Sequence, residues 1–544
     1  MFVLSCYIGC LLTAIRAQQP PHIIFIVADD LGWNDVSFHG SDQIPTPNID
    51  ALAYNGVILN NYYSQPTCTP SRTALMTGRY PFHSGMQGRP ILNSEPRGLP
   101  LQEKILPQYL KELGYVTRAF GKWHLGFYKR EFTPTYRGFD SHLGYWGGYT
   151  SYYDHILEDM YPDGRSLSGH DLRHNMETVW QLDGEYATDM FTSVTVNTIR
   201  HHNTSNPLFL YVAHLAVHAG NAGKPLEAPQ ETVNNFAYIP DPNRRTYAAM
   251  VSKLDDSVGQ IVGALMEKGM LGNSIIVFVS DNGAPSVGDY QNWGSNYPLR
   301  GNKGSLWEGG VRCIGLVWSP LINNSHRVSN EPMHVTDWLP TLLSAAGRNL
   351  SELANKLDGA DQWSSISTNH TSQRKHLIIE IDEVMKTAAI RDREWKLVIG
   401  SFGTNGSIDG YYGEKGHEAR NPAYNILAIT NSTVATSIAR YGHTATDTEI
   451  NELRNSATVK CLFDGQYPVT DCNPSQTRQP CLFNIVSDPC EMHNLASTKE
   501  ATLRQLYHML VDEKESLVPQ LTKPRDFDGA NPAKFNYTWS SWQD

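Results

Sequence analysis

Cys68-Thr69-Pro70-Ser71-Arg72, running on through Leu75-Met76-Thr77-Gly78-Arg79, is the stretch of this chain best suited to chemistry. Proline is harmless at the first position of a helix, where its missing N–H has no partner to lose, so the spacing predicts a helix beginning at Pro70. Cys68 then sits at the helix N-terminus. Unpaired backbone N–H groups and the positive end of the dipole favour an anion there, and Arg72, one turn on, points a guanidinium the same way. A lone cysteine is as often a small buried hydrophobe as a nucleophile, but one beside an anion pocket is a candidate nucleophile.

A second set of residues, Asp29, Asp30, Asp281 and Asn282, offers only oxygen donors. Such a set suits Ca²⁺ or Mg²⁺ and not zinc. Alone, Asp29-Asp30 reads equally well as a turn and helix cap; two acidic strand ends together favour a metal. Three carboxylates around one divalent ion stay net negative, so an anionic substrate also needs cations, for which Arg72, Lys122 and Lys303 are the candidates. His124 and His218, each just past a strand end, are placed for acid–base work, whereas His214 reads as an ordinary core histidine. Lys303 lies in the glycine-bearing run Leu299 to Arg312, where backbone can approach a ligand closely.

The elements that would position these groups are strands. Ile23 to Ala28 and Ile275 to Val279 are continuous apolar runs, expected of strands buried on both faces of a parallel sheet. Tyr247, Met250, Val251, Leu254, Val258, Ile261, Val262 and Leu265 recur at helical spacing before the second run. A helix over Gln102 to Leu113 followed by a strand over Tyr115 to Phe120 repeats that layout, and Leu208 to Ala213 is a fourth strand. Ligands of open α/β sheets bind beyond the carboxyl ends of the strands. All four strands end in polar groups, so one site assembled from them is the economical expectation.

With 544 residues, 40% of them hydrophobic, the chain has material for a large core and two domains. Net charge is −11 with no basic run, which excludes a nucleic-acid role. Residues 1–17 resemble a secretory signal peptide, too short to span a membrane, and no other run is long enough for stable membrane insertion. Seven Asn-x-Ser/Thr sequons, at Asn203, Asn323, Asn349, Asn369, Asn405, Asn431 and Asn536, fit N-glycans and the secretory pathway. Cys461, Cys472, Cys481 and Cys490 are expected to form two disulfides, leaving Cys313 as a buried thiol. Their spacing also admits zinc, though no CxxC pair supports it.

The Cys68 motif resembles the signature of type I sulfatases, in which this cysteine is converted to formylglycine by a formylglycine-generating enzyme. Ala28 to Asp35, Gly121-Lys122-Trp123-His124-Leu125-Gly126, Ser280-Asp281-Asn282-Gly283, the Lys303 loop, Pro134 to Asp140 and Asp337-Trp338-Leu339-Pro340-Thr341 extend the likeness to the arylsulfatase B branch. The resemblance covers most of residues 21 to about 370. It implies an alkaline-phosphatase-like α/β fold, a large, mostly parallel sheet flanked by helices, with a smaller C-terminal domain containing an antiparallel sheet. Asp29, Asp30, Asp281, Asn282 and the modified Cys68 would bind one Ca²⁺. Arg72, Lys122 and His124 would hold the aldehyde hydrate, with His218 and Lys303 at the sulfate and the leaving oxygen. One hydrate hydroxyl would attack sulfur, and His124 would then take the proton of the other so that sulfate leaves.

Phe120, Ala219-Gly220 and the cysteine-free stretch Gly88 to Gly98 depart from the branch, and all bear on the leaving-group side. The resulting expectation is a secreted or lysosomal sulfatase with domains at 18–370 and 371–544. Its substrate is a sulfated sugar of the N-acetylgalactosamine-4-sulfate type or a small ester such as an aryl sulfate or sulfated glucosinolate. The alternatives are a phosphatase or phosphodiesterase of the same superfamily and a non-catalytic sulfatase-like binding protein. In the C-terminal part, His376 to Ile381 and Thr387 to Ile399 read as strands, Ser401 to Lys460 as loops with some helix, and Ala501 to Leu517 as a helix.

Overall fold

A computed structural model describes residues 19–161, 163–416, 420–461 and 469–544. The signal-peptide segment lies outside the described residues. Strand His22–Ala28 runs through the middle of a ten-stranded sheet, parallel to Leu208–Ala213 on one side and Ser274–Ser280 on the other. Val116–Lys122 and Ser141–Tyr145 continue the parallel set beyond Leu208–Ala213. Beyond Ser274–Ser280, Gly315–Trp318 is antiparallel, and Val57–Leu59 and the edge strand Arg327–Ser329 turn back to the original direction.

The apolar runs arise from burial on both faces. Ile24, Ile26 and Ala28 enter one core with the helix Pro242–Glu267, while Ile23, Phe25 and Val27 enter the other, which holds Trp338 and residues of the Cys68 helix. Each buried Ile, Val or Phe among them contributes about 1.5–3 kcal/mol, so neither face tolerates polar residues until the strand reaches its carboxyl end. There Asp29, Lys122 and Asp281 begin.

The smaller antiparallel sheet is present, with His376–Asp382, Thr387–Asp392, Trp395–Ile399 and Cys481–Asn484 in that order. Disulfides Cys461–Cys490 and Cys472–Cys481 pair the four clustered cysteines, and Cys313 is a buried free thiol beside the Ser64 hydroxyl. Within residues 401–460, the short helices Ile426–Thr430, Thr433–Ile438 and Asp447–Ala457 pack Ile429, Val434, Ile438 and Ile450 into the main core. The C-terminal tail returns to the core on the other face of the sheet, with Trp338, burying Trp539 completely.

Some boundaries move. The Cys68 helix spans Cys68–Thr77, so it starts two residues before Pro70, with Thr67 as N-cap and Gly78 closing it at φ 66°. The helix expected from Gln102 begins at Leu106, and the next strand runs on to Lys122, placing that lysine on the sheet itself.

Lys396 joins the small sheet to the main body. Its ammonium lies 2.8 Å from Glu308 and 2.8 Å from Glu491, and all three side chains are fully buried. Lys396→Met would strip Glu491 and Glu308 of the cation they share, leaving Glu308 only Arg312 at 3.6 Å, a loss of about 3–5 kcal/mol. Urea unfolding is expected to show it as a lowered midpoint.

Candidate active site

The carboxyl ends of four parallel strands converge on the Cys68 helix. Asp29 and Asp30 follow His22–Ala28, Asp281 and Asn282 follow Ser274–Ser280, Lys122 ends Val116–Lys122, and His218 lies beyond Leu208–Ala213. Carboxylate oxygens of Asp29, Asp30 and Asp281 lie within 4.8 Å of one another, and an Asp29 oxygen, the Cys68 sulfur and a His218 ring nitrogen form a second group of the same size. Every one of these residues is buried. His214 lies apart: it is buried against the Ser257 hydroxyl at 3.0 Å, as an ordinary core histidine.

Cations face the carboxylates one to one. Lys122 Nζ is 2.6 Å from Asp29 Oδ2, Arg72 Nη2 is 2.9 Å from Asp281 Oδ2, and Lys303 Nζ is 2.6 Å from Asp30 Oδ1. Burial alone would lower the Lys303 pKa, but Asp30 and the neighbouring acids raise it, so this lysine stays charged. Burial and Asp29 raise Asp281, against the pull of Arg72. Burial likewise raises the Cys68 thiol despite Lys122 and Lys303, so an unmodified cysteine here is a poor thiolate nucleophile.

The two histidines have defined tautomers. His124 Nε2 lies 2.9 Å from the Ile91 carbonyl, which can only accept, so the proton sits on Nε2 and Nδ1 carries a lone pair. Burial and the Lys122 charge hold this imidazole well below its ordinary pKa, hence neutral. In His218 the roles are exchanged: Nδ1 donates to the Ala219 carbonyl, and Nε2 faces Asp30 Oδ2 at 3.4 Å. Burial pushes its pKa down to about 3.

Four buried side-chain atoms here have no hydrogen-bond partner: Asp29 Oδ1, Asn282 Oδ1, Arg72 Nε and His124 Nδ1. Buried polar atoms are normally paired, so four orphans at one place indicate a site built to be completed by a ligand. The two orphaned oxygens, set among three close carboxylates with no sulfur or nitrogen donor required, fit a hard divalent cation.

Several contributors carry little signal in the sequence. Ser71 Oγ donates to the Asp281 carbonyl at 2.5 Å, tying the helix to the acidic strand end, and Thr69 Oγ1 donates to the His124 carbonyl. Asn292 Nδ2 donates to the carbonyls of Asp30 and Val217. Tyr211 accepts from Arg72 Nη1 at 3.3 Å. At the mouth, the Tyr149 ring stacks on His218 with centroids 5.6 Å apart, and the half-exposed Tyr290 meets Tyr149 edge-on at 5.3 Å. Ser71 and Thr69 lie inside the cysteine motif and Tyr211 inside a strand; Tyr149, Tyr290 and Asn292 come from loops with no pattern to betray them.

A sulfatase family model matches residues 21–348. Arylsulfatase J of Mus musculus is 37% identical over 542 residues, 96% of this chain and 80% of that protein. N-acetylgalactosamine-6-sulfatase of Homo sapiens is 31% identical over 360 residues, 61% of this chain and 63% of that one. Among solved structures, Ps i-CgsB in complex with k-i-k-neocarrahexaose is similar at a TM-score of 0.70 and 27% identity, over 95% of this chain and 97% of that chain. With the family model over more than half of the chain and a relative 37% identical over 96% of it, the chain belongs to the sulfatase family, as a sulfuric ester hydrolase.

Proposed function

We propose that this protein hydrolyses the sulfate ester of a sulfated sugar, using Ca²⁺ and a formylglycine made from Cys68. The observation that carries the reading is the convergence of Cys68, three cationic side chains and three carboxylates in one buried site with four unpaired polar atoms. Asp29, Asp30, Asp281 and Asn282 would hold Ca²⁺, which supplies Lewis acidity toward the sulfate oxygens and lowers the pKa of the attacking hydroxyl. At position 68 a formylglycine hydrate would offer two hydroxyls on one carbon, one as the nucleophile and one whose proton His124 would take.

The remaining work falls to the chain's own groups. Arg72 and Lys122 fix Asp281 and Asp29 and, with Lys303, bring enough positive charge to accept a sulfate monoester in a site otherwise rich in carboxylates. Lys303, held charged, and His218 would contact the sulfate and the leaving oxygen. His124 Nδ1, neutral and unpaired, is the proton acceptor. Cys68 is 2% exposed, so the modifying enzyme must reach it before the helix docks. All seven sequon asparagines are exposed, which supports N-glycosylation and passage through the secretory pathway to a lysosomal or extracellular destination. No described helix is long and apolar enough to cross a membrane.

A sugar substrate is favoured by two observations. The relatives include an N-acetylgalactosamine-6-sulfatase and a structure solved with a neocarrahexaose. The Tyr149–Tyr290 pair beside His218 also offers an aromatic wall to the leaving group. Tyr290→Ala is expected to lower kcat/KM by about fivefold, equivalent to about 1 kcal/mol of ring contact, mainly through KM. An unchanged KM would remove Tyr290 from the substrate-contacting wall.

The direct test is mass spectrometry of the proteolytic peptide containing Cys68, from protein made in a host shown to convert a control sulfatase. The expected peptide carries an aldehyde that an aminooxy reagent captures. An unmodified thiol would overturn the formylglycine reading.

A further inference from the structure

A cavity of about 700 Å³ lies between the main sheet and the small C-terminal sheet. Asn60-Asn61 and Asn330-Glu331 form one side; they come just after strands Val57–Leu59 and Arg327–Ser329. Both strands run in the same direction as Ser274–Ser280, so these loops leave the sheet at the same edge as Asp281 and Asn282. They are displaced by two and three strands, on the order of 10–15 Å at a strand spacing of about 4.8 Å.

The lining is cationic. Arg312 and Arg374 are already paired with Glu308 and Asp337, but Lys375, Arg391, Arg393 and Lys460 outnumber the remaining acids, Glu331 and Glu394. Arg391 is 4% exposed, sits 5.1 Å over the Tyr63 ring and donates through Nε to the Arg393 carbonyl. Its Nη1 is buried without a hydrogen-bond partner, and so is Asn60 Oδ1. An unpaired charged donor and an unpaired amide acceptor at one cavity fit a ligand with both an anionic group and hydroxyls. The volume is that of a small-molecule site and exceeds what one inorganic anion fills.

We infer that this cavity is an accessory site for a sulfated oligosaccharide, taking an anionic sugar unit other than the one whose ester lies at Cys68. The inference rests on the sugar-sulfate reading above. Arg391 and Arg393 receive the anionic group, and Asn60 accepts from a hydroxyl. The shared sheet edge lets one chain address both sites, so length and sulfation beyond the reacting unit would govern affinity.

The test is a binding titration on the full chain carrying Cys68→Ala, which cannot turn substrate over. The probes are hexasaccharides of chondroitin 4-sulfate and of heparin. Adding Arg393→Ala and Lys460→Ala, both exposed side chains, is expected to weaken binding of at least one probe by tenfold or more. Arg200→Ala with Lys268→Ala, which removes the same charge from a surface away from the cavity, should leave binding unchanged. Equal loss in the two double variants, no loss in the first, or no binding of either probe overturns the accessory site. Cavity-dependent binding to a protein that, with Cys68 restored and modified, releases no sulfate from either probe would retain the site and overturn the sugar-sulfate reading.

Discussion

Cys68→Ala is expected to reduce turnover of any sulfate ester by at least about 10⁴-fold, the scale seen when a nucleophile is removed and only binding groups remain. The fold should survive. Cys68 occupies the first position of its helix, where it supplies no side-chain cap, and its neighbours Ser71 and Thr69 carry the hydrogen bonds that anchor the helix. Circular dichroism and the unfolding midpoint should therefore stay close to those of the parent protein. Cys68→Ser separates the proposed chemistry from simple nucleophilic attack. A serine has one hydroxyl, so a sulfate transferred to it must await water, and alcohol release should stop near one equivalent per chain. Continuous turnover by the alanine variant would overturn the proposed role of Cys68.

The site was legible because its residues stand where strong patterns stop. Ile23 to Ala28 reads as a doubly buried strand, and the residues just past the carboxyl end of such a strand are by topology close to those past its neighbours. Topology alone therefore reaches Asp29, Asp30, Lys122, Asp281 and His218. The pairing of Lys122 with Asp29 and of Lys303 with Asp30 is beyond its reach, because it depends on how long side chains cross between strand ends. Equally hidden is the positive φ of Asp30 and His124, at 63° and 57°, an uncommon conformation that turns the chain immediately after each strand.

The C-terminal part was less readable, for a physical reason. Two of the three helices within residues 426–457, Ile426–Thr430 and Thr433–Ile438, are too short to show a convincing apolar period, and their partners lie far away in the chain. Asn48 Oδ1 accepts from the Val434 N–H, and Asn55 Oδ1 accepts from the Ala445 N–H, across more than 380 residues. Such segments are held by tertiary contacts and not by local propensity. The four-stranded sheet was easier, because its strands are consecutive hairpins apart from Cys481–Asn484. Tyr149 and Tyr290 illustrate the limit: loop aromatics gain meaning only once His218 is seen beside them.

Asp281→Ala is expected to abolish tight divalent-metal binding and lower kcat/KM by about 10³-fold or more, an effect ascribed to loss of both a ligand and its electrostatic order. Asp281 is buried, raised in pKa by that burial and by Asp29, and held in part by Arg72. A divalent cation reverses this balance by favouring the ionised carboxylate. The alanine variant removes the partner 2.9 Å from Arg72 Nη2, while the Asp29 carboxylate 3.7 Å away remains to keep the guanidinium from being stranded. Metal content by elemental analysis should therefore fall with activity while the chain stays folded. Asp281→Asn keeps an oxygen donor without its charge, so it should retain weakened metal binding and stand between the parent and Asp281→Ala. Unchanged metal content in the alanine variant would take Asp281 off the ligand set, and activity lost without metal loss would assign it to positioning Arg72 instead.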